Sequence, residues 1–501
     1  MNQQSPIERI VNSKFYPLLL LFVSFVFVTL FSRSTSFLYV FEGADPAIFK
    51  QMGRAILKGK ILYIDYFDNK GCILYFIHAF AYWLGGDFVL LLMQTVSLTI
   101  TLVIWDKMLA LYRNEKERVC CLGIALIMLL CFYSAGDQTQ EWCLPFISYP
   151  LLIYFRAYKT KTEVTFRQMV FIGLCFGIIT FIQINNACAF LGFIAYLWIQ
   201  YLQKKDFKRL VQSIGCFILG WLTIAIPCIL YFYIKAGWHG VYEMVYASFL
   251  SNLEYISSNF KRKRLLFIIP YVAFLLSFIS LQLVNSFKEK GVMVPMLISF
   301  LFFIITFGKL FSMHYLMAFL PLCIVSMMTL NYVENKRIKL GLIVILFICI
   351  AFYGGHPALH FVEDLILHRE KELVIYENFH HCIENIPETD RDSIYNYNLK
   401  CIGPSMMQHE NLIQCNRVLF SILTYNLPTL WKEESSKPFV PPKWFLFSPN
   451  RKYNKYDIMF IMENYDLSCS FHYDKLYFKK PRIGEEMDIH LYRRKDPVTT
   501  P

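Results

Sequence analysis

The chain has 501 residues, of which 56% are hydrophobic and 17% are aromatic, and its mean hydropathy is +0.42. A soluble domain has about 45–50% apolar residues, whereas here the excess is concentrated in runs of roughly 17–25 residues, long enough to cross a bilayer as helices. This excludes an ordinary soluble domain and predicts a polytopic membrane protein. The net charge of +12 does not indicate nucleic-acid binding, because Lys and Arg crowd the short loops between apolar runs, as in cytoplasmic loops.

The first apolar run, from about Tyr16 to Phe31, follows the basic residues Arg9 and Lys14. No small-x-small cleavage site follows this run. We therefore interpret it as a retained anchor and not as a cleaved signal peptide.

The loops between the later apolar runs alternate in charge. Basic loops occur at 113–118, 156–167, 203–209, 285–290 and 334–339. Segments with few or no basic residues occur at 134–142, 183–187 and 307–315. The positive-inside rule then predicts a cytoplasmic N-terminus, about eleven transmembrane helices, and an outer location for the residues after 354.

Three segments need separate interpretation. The run 72–86 has about fourteen apolar residues, and at about 1.5 Å per residue it is too short to span. We interpret it as a juxtamembrane or re-entrant helix on the outer face, with the second span from about Phe88 to Leu111. Residues 235–260 predict an amphipathic helix at the outer interface. The basic cluster 260–264 falls on the outer face, against the rule.

The chain changes character after residue 354. Charges and prolines appear, and the short alternating stretches 392–397, 456–462 and 487–494 predict strands between helical segments. The predicted fold is an all-α polytopic membrane bundle over 1–354, with outer-face juxtamembrane helices, and a small extracytoplasmic α/β or α+β domain over 355–501.

The predicted C-terminal domain contains four cysteines, Cys382, Cys401, Cys415 and Cys469. They form disulfides only if this region lies outside the cytosol. The sequence leaves their pairing open.

A charged segment, residues 42–71, lies between the first two apolar runs on the predicted outer face. It includes Asp45 and the amphipathic stretch that follows, which predicts a helix lying flat on the bilayer with Asp45 near the headgroups. A second acidic pair, Asp137 and Glu141, is predicted on the same face. A carboxylate after a span is often only solvated, so for Asp45 alone both a functional and a solvated interpretation are open.

Three motifs resemble a known superfamily. GADPAIF (43–49) followed by GRAILKGKILYIDYFDNKG (53–71) resembles the first outer loop of GT-C glycosyltransferases, which include protein O-mannosyltransferases, lipid A aminoarabinose transferases and uncharacterised bacterial relatives. SAGDQTQEWCLPF (134–146) is similar to the second outer loop of the bacterial branch, and SMHYLMAFLP (312–321) to a later turn near the substrate lipid.

The sequence departs from the family pattern at two positions. Cys72 stands where members usually have Pro, and Asp45 is followed by Pro46 and not by a second acidic residue. The second departure favours the bacterial branch and argues against a protein acceptor.

The resemblance implies an enzyme of the bacterial inner membrane. It would move a sugar from a polyprenyl-phosphate donor to an envelope glycan or glycolipid acceptor at the outer face. Its partners would be these two substrates and membrane lipids, with no nucleic acid. Asp45 would act as the general base, Glu141 as the second catalytic carboxylate, and the anomeric configuration would invert.

The resemblance also predicts ligand-binding residues. Asp45, Glu141 and Asp137 would hold a divalent metal, Mg²⁺ or Mn²⁺. Substrate and the leaving phosphate would contact Asp68, Lys70, Arg262, Lys263, Arg264, Lys309, His314 and Tyr315. The expected outer active-site loops are 33–87, 135–143, 235–264 and 308–315.

Each of these assignments has a structural alternative. The cluster 260–264 could anchor the chain to lipid headgroups, and His314 could form a hydrogen bond within the bundle. Lys70 could cap a helix or pair with Asp68.

Three other functions remain open. A transporter or flippase would need polar residues or broken helices at mid-bilayer, and the later spans offer only Gln183, Asn185 and Asn186, near a helix end. A glycan ligase or polymerase has its long loop late in the chain, whereas the longest charged loop between spans comes first here. A non-catalytic scaffold displaying the C-terminal domain is the third.

Overall fold

The structure is a computed structural model. It describes residues 5–38, 43–133, 136–254, 290–307, 317–329, 369–384, 386–397, 402–415, 441–449, 455–473 and 487–495, and single residues at 399, 417, 429, 432 and 436.

The chain forms two compact units. The helical unit comprises Met1–Ser32, Lys70–Leu74 and Phe88–Leu359. The loop–sheet unit comprises Arg33–Asn69, Tyr75–Asp87 and His360–Pro501. Two segments of the first outer loop thus belong to the same unit as the C-terminal region, and the predicted boundary after residue 354 stays a prediction.

The helices of the described residues are α1 Pro6–Val11, α2 Tyr16–Phe31, α3 Ala44–Leu57, α4 Cys72–Leu84, α5 Asp87–Leu109, α6 Glu115–Phe132, α7 Thr139–Thr160, α8 Phe166–Gln183, α9 Cys188–Gln203, α10 Phe207–Val245, α11 Lys290–Phe307, α12 Leu320–Thr329, α13 Arg369–Glu384, α14 Ile402–His409 and α15 Lys455–Asn464. A 3₁₀ turn, Ile184–Ala187, separates α8 from α9, and a π-helical turn, Tyr246–Leu250, continues α10. A second 3₁₀ helix is Glu388–Ser393. The strands are β1 Ile394–Asn396, β2 Trp444–Phe447, β3 Tyr465–Tyr473 and β4 Met487–Arg494.

Several helices have the composition of membrane spans. Within the described ranges, the stretches Asp87–Leu109, Phe166–Gln203 and Phe207–Glu254 are long and apolar enough to cross a membrane. Shorter apolar helices include Tyr16–Phe31 and Cys72–Leu84. A mostly helical membrane protein with a small sheet is therefore confirmed, while the number of spans and their orientation stay predictions.

The run at 72–86 forms a helix separate from the following one, as predicted, while its place on the outer face stays a prediction. It forms the 13-residue helix α4, which is separate from the 23-residue helix α5. The break falls at Gly85-Gly86, where Gly86 has a φ of 71°. The left-handed backbone conformation favours glycine, which explains why the helix ends here.

Helix α10 is kinked at Ala236 and Gly237, whose backbone angles are not helical. Beyond the kink, Trp238 and Tyr242 are exposed, while Met244 is buried. This two-sided pattern agrees with the predicted amphipathic helix. The end of that prediction, residues 255–260, lies outside the described residues.

The sheet of the loop–sheet unit has the strand order β1-β2-β4-β3. The pair β1 and β2 is parallel, and both other pairs are antiparallel. One face packs with α13 and α14 in a core that includes Phe379, Ile394, Met406 and Leu491. This mixed sheet with helices is an α+β arrangement.

A disulfide joins Cys382 of α13 to Cys469 of β3, with a Cα–Cα distance of 5.5 Å. Cys415 is a free thiol, and Cys401 lies outside the described residues. The structure thus settles a pairing that the sequence leaves open.

The strand predictions for this region are partly right. The stretches 392–397 and 487–494 contain β1 and β4, but the predicted strand at 456–462 is wrong because these residues form α15. Within this helix, Ile461 and Asn464 are buried, while the two residues between them are exposed. Burial three residues apart fits the period of a helix and not the alternation of a strand.

Helix α3 is enclosed by protein, whereas the sequence predicts a helix with its apolar face on the bilayer; its orientation to the membrane stays a prediction. Ten of its 14 residues are buried, including Lys50 and Arg54. Phe49 packs edge-to-face on His78 of α4, with ring centroids 5.8 Å apart, and a side chain at Gly53 would meet the Cβ of His78 at 2.7 Å. The helix is therefore a core element of the loop–sheet unit.

Buried charges anchor α3 on both sides. Lys50 Nζ contacts the carbonyl of Ser34 and lies 2.9 Å from an Asp87 carboxylate oxygen. Arg54 donates hydrogen bonds to Gln408 Oε1 at 2.6 Å and to the Leu412 carbonyl at 3.0 Å. A buried charge without such partners would be strongly destabilising.

An acid–histidine cluster lies on the surface of the same unit. The Nδ1 atoms of His380 and His409 lie 2.8 and 3.1 Å from the two carboxylate oxygens of Glu410. The hydrogen bond to Glu410 raises the pKa of His380. Burial alone would raise the pKa of Glu410, but the hydrogen bonds with the two histidines outweigh burial and lower it.

Candidate active site

Glu141, a predicted catalytic residue, is fixed in the first turn of α7. Its side chain is 2% exposed. Tyr133 Oη donates a hydrogen bond to Oε1 at 2.7 Å, and the Asp137 backbone N–H donates to Oε2 at 2.8 Å. Gln94 Nε2 lies 3.3 and 3.2 Å from the two oxygens. These donors hold the carboxyl in one orientation within the helical unit.

The turn before α7 brings these donors together. Gly136 has a φ of 74°, and a side chain there would clash with Ser32. Asp137 has a φ of 54°, an uncommon conformation for a non-glycine residue. Ser32 Oγ in turn donates to Gln94 Oε1 at 3.2 Å. Close approach to Ser32 and the left-handed turn together require glycine at 136.

Gln94 and Tyr133 were missed by the sequence interpretation. Gln94 is fully buried within α5, and Tyr133 follows α6 directly. A lone amide inside an apolar span is a signal of function or of specific pairing. That signal predicts a specific role for Gln94, but it does not identify Glu141 as its hydrogen-bond partner.

Asp137 lies beside Glu141 as predicted. It is fully buried, and its Oδ1 accepts a hydrogen bond from Trp142 Nε1 at 2.8 Å. The predicted pair of acidic residues is therefore brought together by the backbone hydrogen bond from Asp137 to Glu141.

The predicted metal site fits this arrangement poorly. Glu141 Oε1 and Oε2 and Asp137 Oδ1 all accept hydrogen bonds from the protein. Gln94 Nε2 also lies within hydrogen-bond distance of both Glu141 oxygens, so donors occupy about all four lone-pair positions and a metal ion there would have to replace at least one of them. Within the part of the chain that the structure describes, no group of three or more His, Cys, Asp or Glu residues is arranged to hold a metal. We assign no chemical step to a metal.

Further amides surround the start of α7. Gln183 Oε1 accepts hydrogen bonds from Thr139 Oγ1 and, at 3.2 Å, from Gln140 Nε2. Asn186, in the 3₁₀ turn between α8 and α9, donates from Nδ2 to Cys143 Sγ at 3.5 Å. The few polar residues of the later spans thus lie against the first turns of α7.

The end of the first loop packs on the same unit. Gly71 N–H donates to the Ile182 carbonyl at 2.9 Å, and a side chain at 71 would clash with the backbone of Phe181. The neighbouring Lys70 is partly exposed. This contact explains why glycine is needed at position 71, directly after Lys70.

Asp45 and Asp68 belong to the loop–sheet unit. Asp45 is partly exposed in the first turn of α3, after Gly43 with a φ of 89°, and the helix dipole favours a negative charge there. Asp68 is buried, and its oxygens accept from Tyr75 Oη at 2.7 Å and from Asn69 N–H at 2.8 Å.

The predicted site is therefore only partly described. The helical unit contains Asp137, Glu141 and Lys70, and the loop–sheet unit contains Asp45 and Asp68. The pairing of Asp45 with Glu141 stays a prediction. The remaining predicted residues, Arg262, Lys263, Arg264, Lys309, His314 and Tyr315, lie outside the described residues.

Residues 7–341 match the competence-induced protein Ccs4 N-terminal domain family. The chain belongs to this family. The match covers most of the helical unit and also α3 and α4. The family description names no reaction, and no curated protein matches the chain.

Solved structures show the fold. The chain is similar to the crystal structure of ArnT from Cupriavidus metallidurans bound to undecaprenyl phosphate, with a TM-score of 0.58, 10% sequence identity, and coverage of 97% of this chain and 98% of that one. ArnT is a GT-C enzyme. The GT-C fold predicted from the outer loops is thus confirmed.

Two structures of an Archaeoglobus fulgidus oligosaccharyltransferase are more distant. One, with zinc and sulfate, has a TM-score of 0.43 and 12% identity, and covers 93% of this chain and 72% of that one. The other, tethered to an acceptor peptide, has a TM-score of 0.45 and 10% identity, and covers 97% and 74%.

Proposed function

We propose that this chain is an integral-membrane glycosyltransferase. It moves a sugar from a polyprenyl-phosphate donor to an envelope glycan or glycolipid acceptor at the outer face of a bacterial inner membrane, and it inverts the anomeric configuration. The undecaprenyl phosphate in the ArnT structure supports a lipid-linked donor for this chain of the same fold.

The observation that carries the proposal is the buried carboxyl of Glu141. Three donors, from Tyr133, Gln94 and Asp137, hold it at the start of α7. A buried carboxyl is costly in a membrane protein and is usually retained for function. It lies in the segment 135–143 that the sequence assigns to the active site.

Asp45 is the proposed general base. As the acceptor oxygen attacks the anomeric carbon, Asp45 takes its proton, and the bond from that carbon to the phosphate oxygen breaks. The bonding electrons leave with the polyprenyl phosphate, and a single displacement inverts the carbon. Lys70 and the basic cluster 260–264 are proposed to stabilise the charge of the leaving phosphate.

The disulfide supports the proposed location of the C-terminal domain. Disulfides such as Cys382–Cys469 persist in oxidising compartments and are rare in the cytosol. An outer location would place the whole loop–sheet unit, including Asp45, on the side where lipid-linked sugars are used.

The test compares envelope glycans and glycolipids by mass spectrometry in deletion strains that carry wild type, Asp45→Asn or Asp65→Asn at matched membrane levels. Asp65 is a matched control because it is exposed, lies in the same loop, and its carboxylate accepts a hydrogen bond from the Ile61 N–H. We expect one sugar to vanish in the deletion, to return with wild type and Asp65→Asn, and to stay missing with Asp45→Asn.

The expected rate loss for Asp45→Asn is about a hundredfold to ten-thousandfold, the usual contribution of a general base. Full restoration of the sugar by Asp45→Asn would show that Asp45 is not the base. A deletion that changes no glycan would refute the transferase itself and favour the transporter or scaffold alternatives.

A further inference from the structure

A cavity of about 250 Å³ opens where α7 and α9 end, in the helical unit. Its lining includes Tyr154, Tyr158, Lys161, Tyr201 and Lys204. It lies between the two basic loops, 156–167 and 203–209, that the sequence assigns to the cytoplasmic face. Neither the proposed reaction nor the family match assigns it a role.

The cavity carries an excess of positive charge. Lys161 and Lys204 are exposed, and their amines form no ion pair or side-chain hydrogen bond with the described residues. Glu163, the acidic lining residue, is already paired with Arg209. Lysines near helix ends also complement the helix dipole, but that function does not require two of them to border one cavity.

Tyrosines form the wall of the cavity. The rings of Tyr154 and Tyr158 are stacked, with centroids 6.1 Å apart and planes 8° apart. Tyr154 Oη donates to the Gly291 carbonyl at 2.6 Å, which fixes the ring. The Arg209 guanidinium lies 5.7 Å from the Tyr201 ring. Tyrosine rings of this kind are enriched at the headgroup level of membranes.

The size and charge of the cavity define a ligand class. A volume of 250 Å³ is below the roughly 300–1,000 Å³ of drug-sized sites, so it suits a headgroup and not a whole lipid. Basic pockets between helices on the cytoplasmic side bind anionic headgroups. We propose that Lys161 and Lys204 bind the phosphate ester of an anionic phospholipid headgroup here. This inference does not depend on the proposed glycosyl transfer.

The experiment uses the full chain in detergent and native mass spectrometry. Wild type and the double variant Lys161→Ala/Lys204→Ala are titrated with dioctanoylphosphatidylglycerol, dioctanoylphosphatidylcholine and glycerol 1-phosphate. The matched control is Lys107→Ala/Lys116→Ala, which removes two exposed lysines that do not line the cavity. We expect the double variant to weaken phosphatidylglycerol binding by about tenfold or more, while the control binds like wild type.

Each outcome bears on the proposal. Equal losses in both double variants, or no loss in either, would overturn it, and so would phosphatidylcholine binding as tight as phosphatidylglycerol. Binding of glycerol 1-phosphate that depends on the cavity lysines would support the phosphate site but assign it to a soluble ester. Binding of phosphatidylglycerol alone would support the lipid. Because the lysines are exposed, loss of folding does not confound the test.

Discussion

Removal of the Cys382–Cys469 disulfide should strongly destabilise the loop–sheet unit. The two cysteines are 87 residues apart in sequence. In the chain-entropy model, a loop of this length lowers the entropy of the unfolded chain enough to stabilise the fold by about 4.6 kcal/mol at 25 °C. Measured values are often smaller, so we expect Cys382→Ala/Cys469→Ala to lose about 3–4 kcal/mol.

Pulse proteolysis in urea measures this loss on the detergent-solubilised full chain. With a urea slope of about 2 kcal/mol per M, the midpoint for cleavage of the C-terminal region should fall by about 1.5–2 M. Reduction of wild type should reproduce the shift. The control, Cys415→Ala, removes a free thiol and should leave the midpoint close to that of wild type.

The same disulfide tests the compartment. In intact cells, Cys382 and Cys469 should resist a thiol-reactive polymer tag until a reductant is added. Tagging of both residues without reductant, together with an unchanged urea midpoint in the double variant, would refute the bond. A lack of tagging in intact cells after reduction would refute the outer location.

Three further predictions concern turns, helix docking and pH. Gly136→Ala should lower the free energy of unfolding by about 1–3 kcal/mol, because Gly136 has a positive φ and a side chain there would clash with Ser32. Thermal unfolding measures this loss. The control is Gly123→Ala, whose added methyl group meets open space and should leave stability unchanged or slightly higher. Arg54→Ala should lower the free energy of unfolding by about 3 kcal/mol, because it leaves two buried acceptors unsatisfied, Gln408 Oε1 in α14 and the Leu412 carbonyl just after it. The pair of His380 and Glu410 should stabilise the fold most between about pH 4.5 and 6.5.

The sign of the pH effect follows from the two pKa shifts. The raised pKa of His380 gives stability that is complete below its unfolded pKa and is lost as pH rises through the folded value. The lowered pKa of Glu410 gives stability that is present above its unfolded pKa and is lost as pH falls through the folded value. Urea midpoints of His380→Gln should lack the decline of wild type from pH 6 to 8, and an identical slope in both proteins would contradict this.

An exposed ion pair at the end of the same helix provides the control for Arg54→Ala. Lys58 and Asp392 form an ion pair whose side chains are 48% and 47% exposed. Such pairs contribute about 0–1 kcal/mol, so Lys58→Ala should change stability little. If Lys58→Ala and Arg54→Ala cost the same, burial does not determine the strength of the α3 contacts.

Local features of the fold were predictable from sequence. The length of the 72–86 run and its Gly85-Gly86 end gave the separate helices α4 and α5. Alternating residues identified β1 and β4. The strand prediction at 456–462 is wrong because so short an apolar stretch fits both the two-residue period of a strand and the 3.6-residue period of a helix. Packing on the sheet decides between them.

Features that depend on distant partners were not predictable. The apolar face of α3 suggested a membrane surface, but the surface it covers comes from α4 and α14, and α14 lies far along the chain. Four cysteines allow three complete pairings, and only the packing of α13 on β3 selects Cys382 with Cys469. Gln94 was visible as a polar residue in an apolar span, but sequence distance conceals its contact with Glu141.

The docking of α3 also has a consequence for biosynthesis. Arg54 and its partner Gln408 are separated by 354 residues. At about 5–20 residues per second, the ribosome needs roughly 20–70 s to make the intervening chain. During that time the helix that carries Asp45 has emerged but lacks the partner that covers it. The segment proposed to hold the base therefore completes its folding only after α14 has been made, and a chain cut short before residue 402 would leave that segment without its α14 partner.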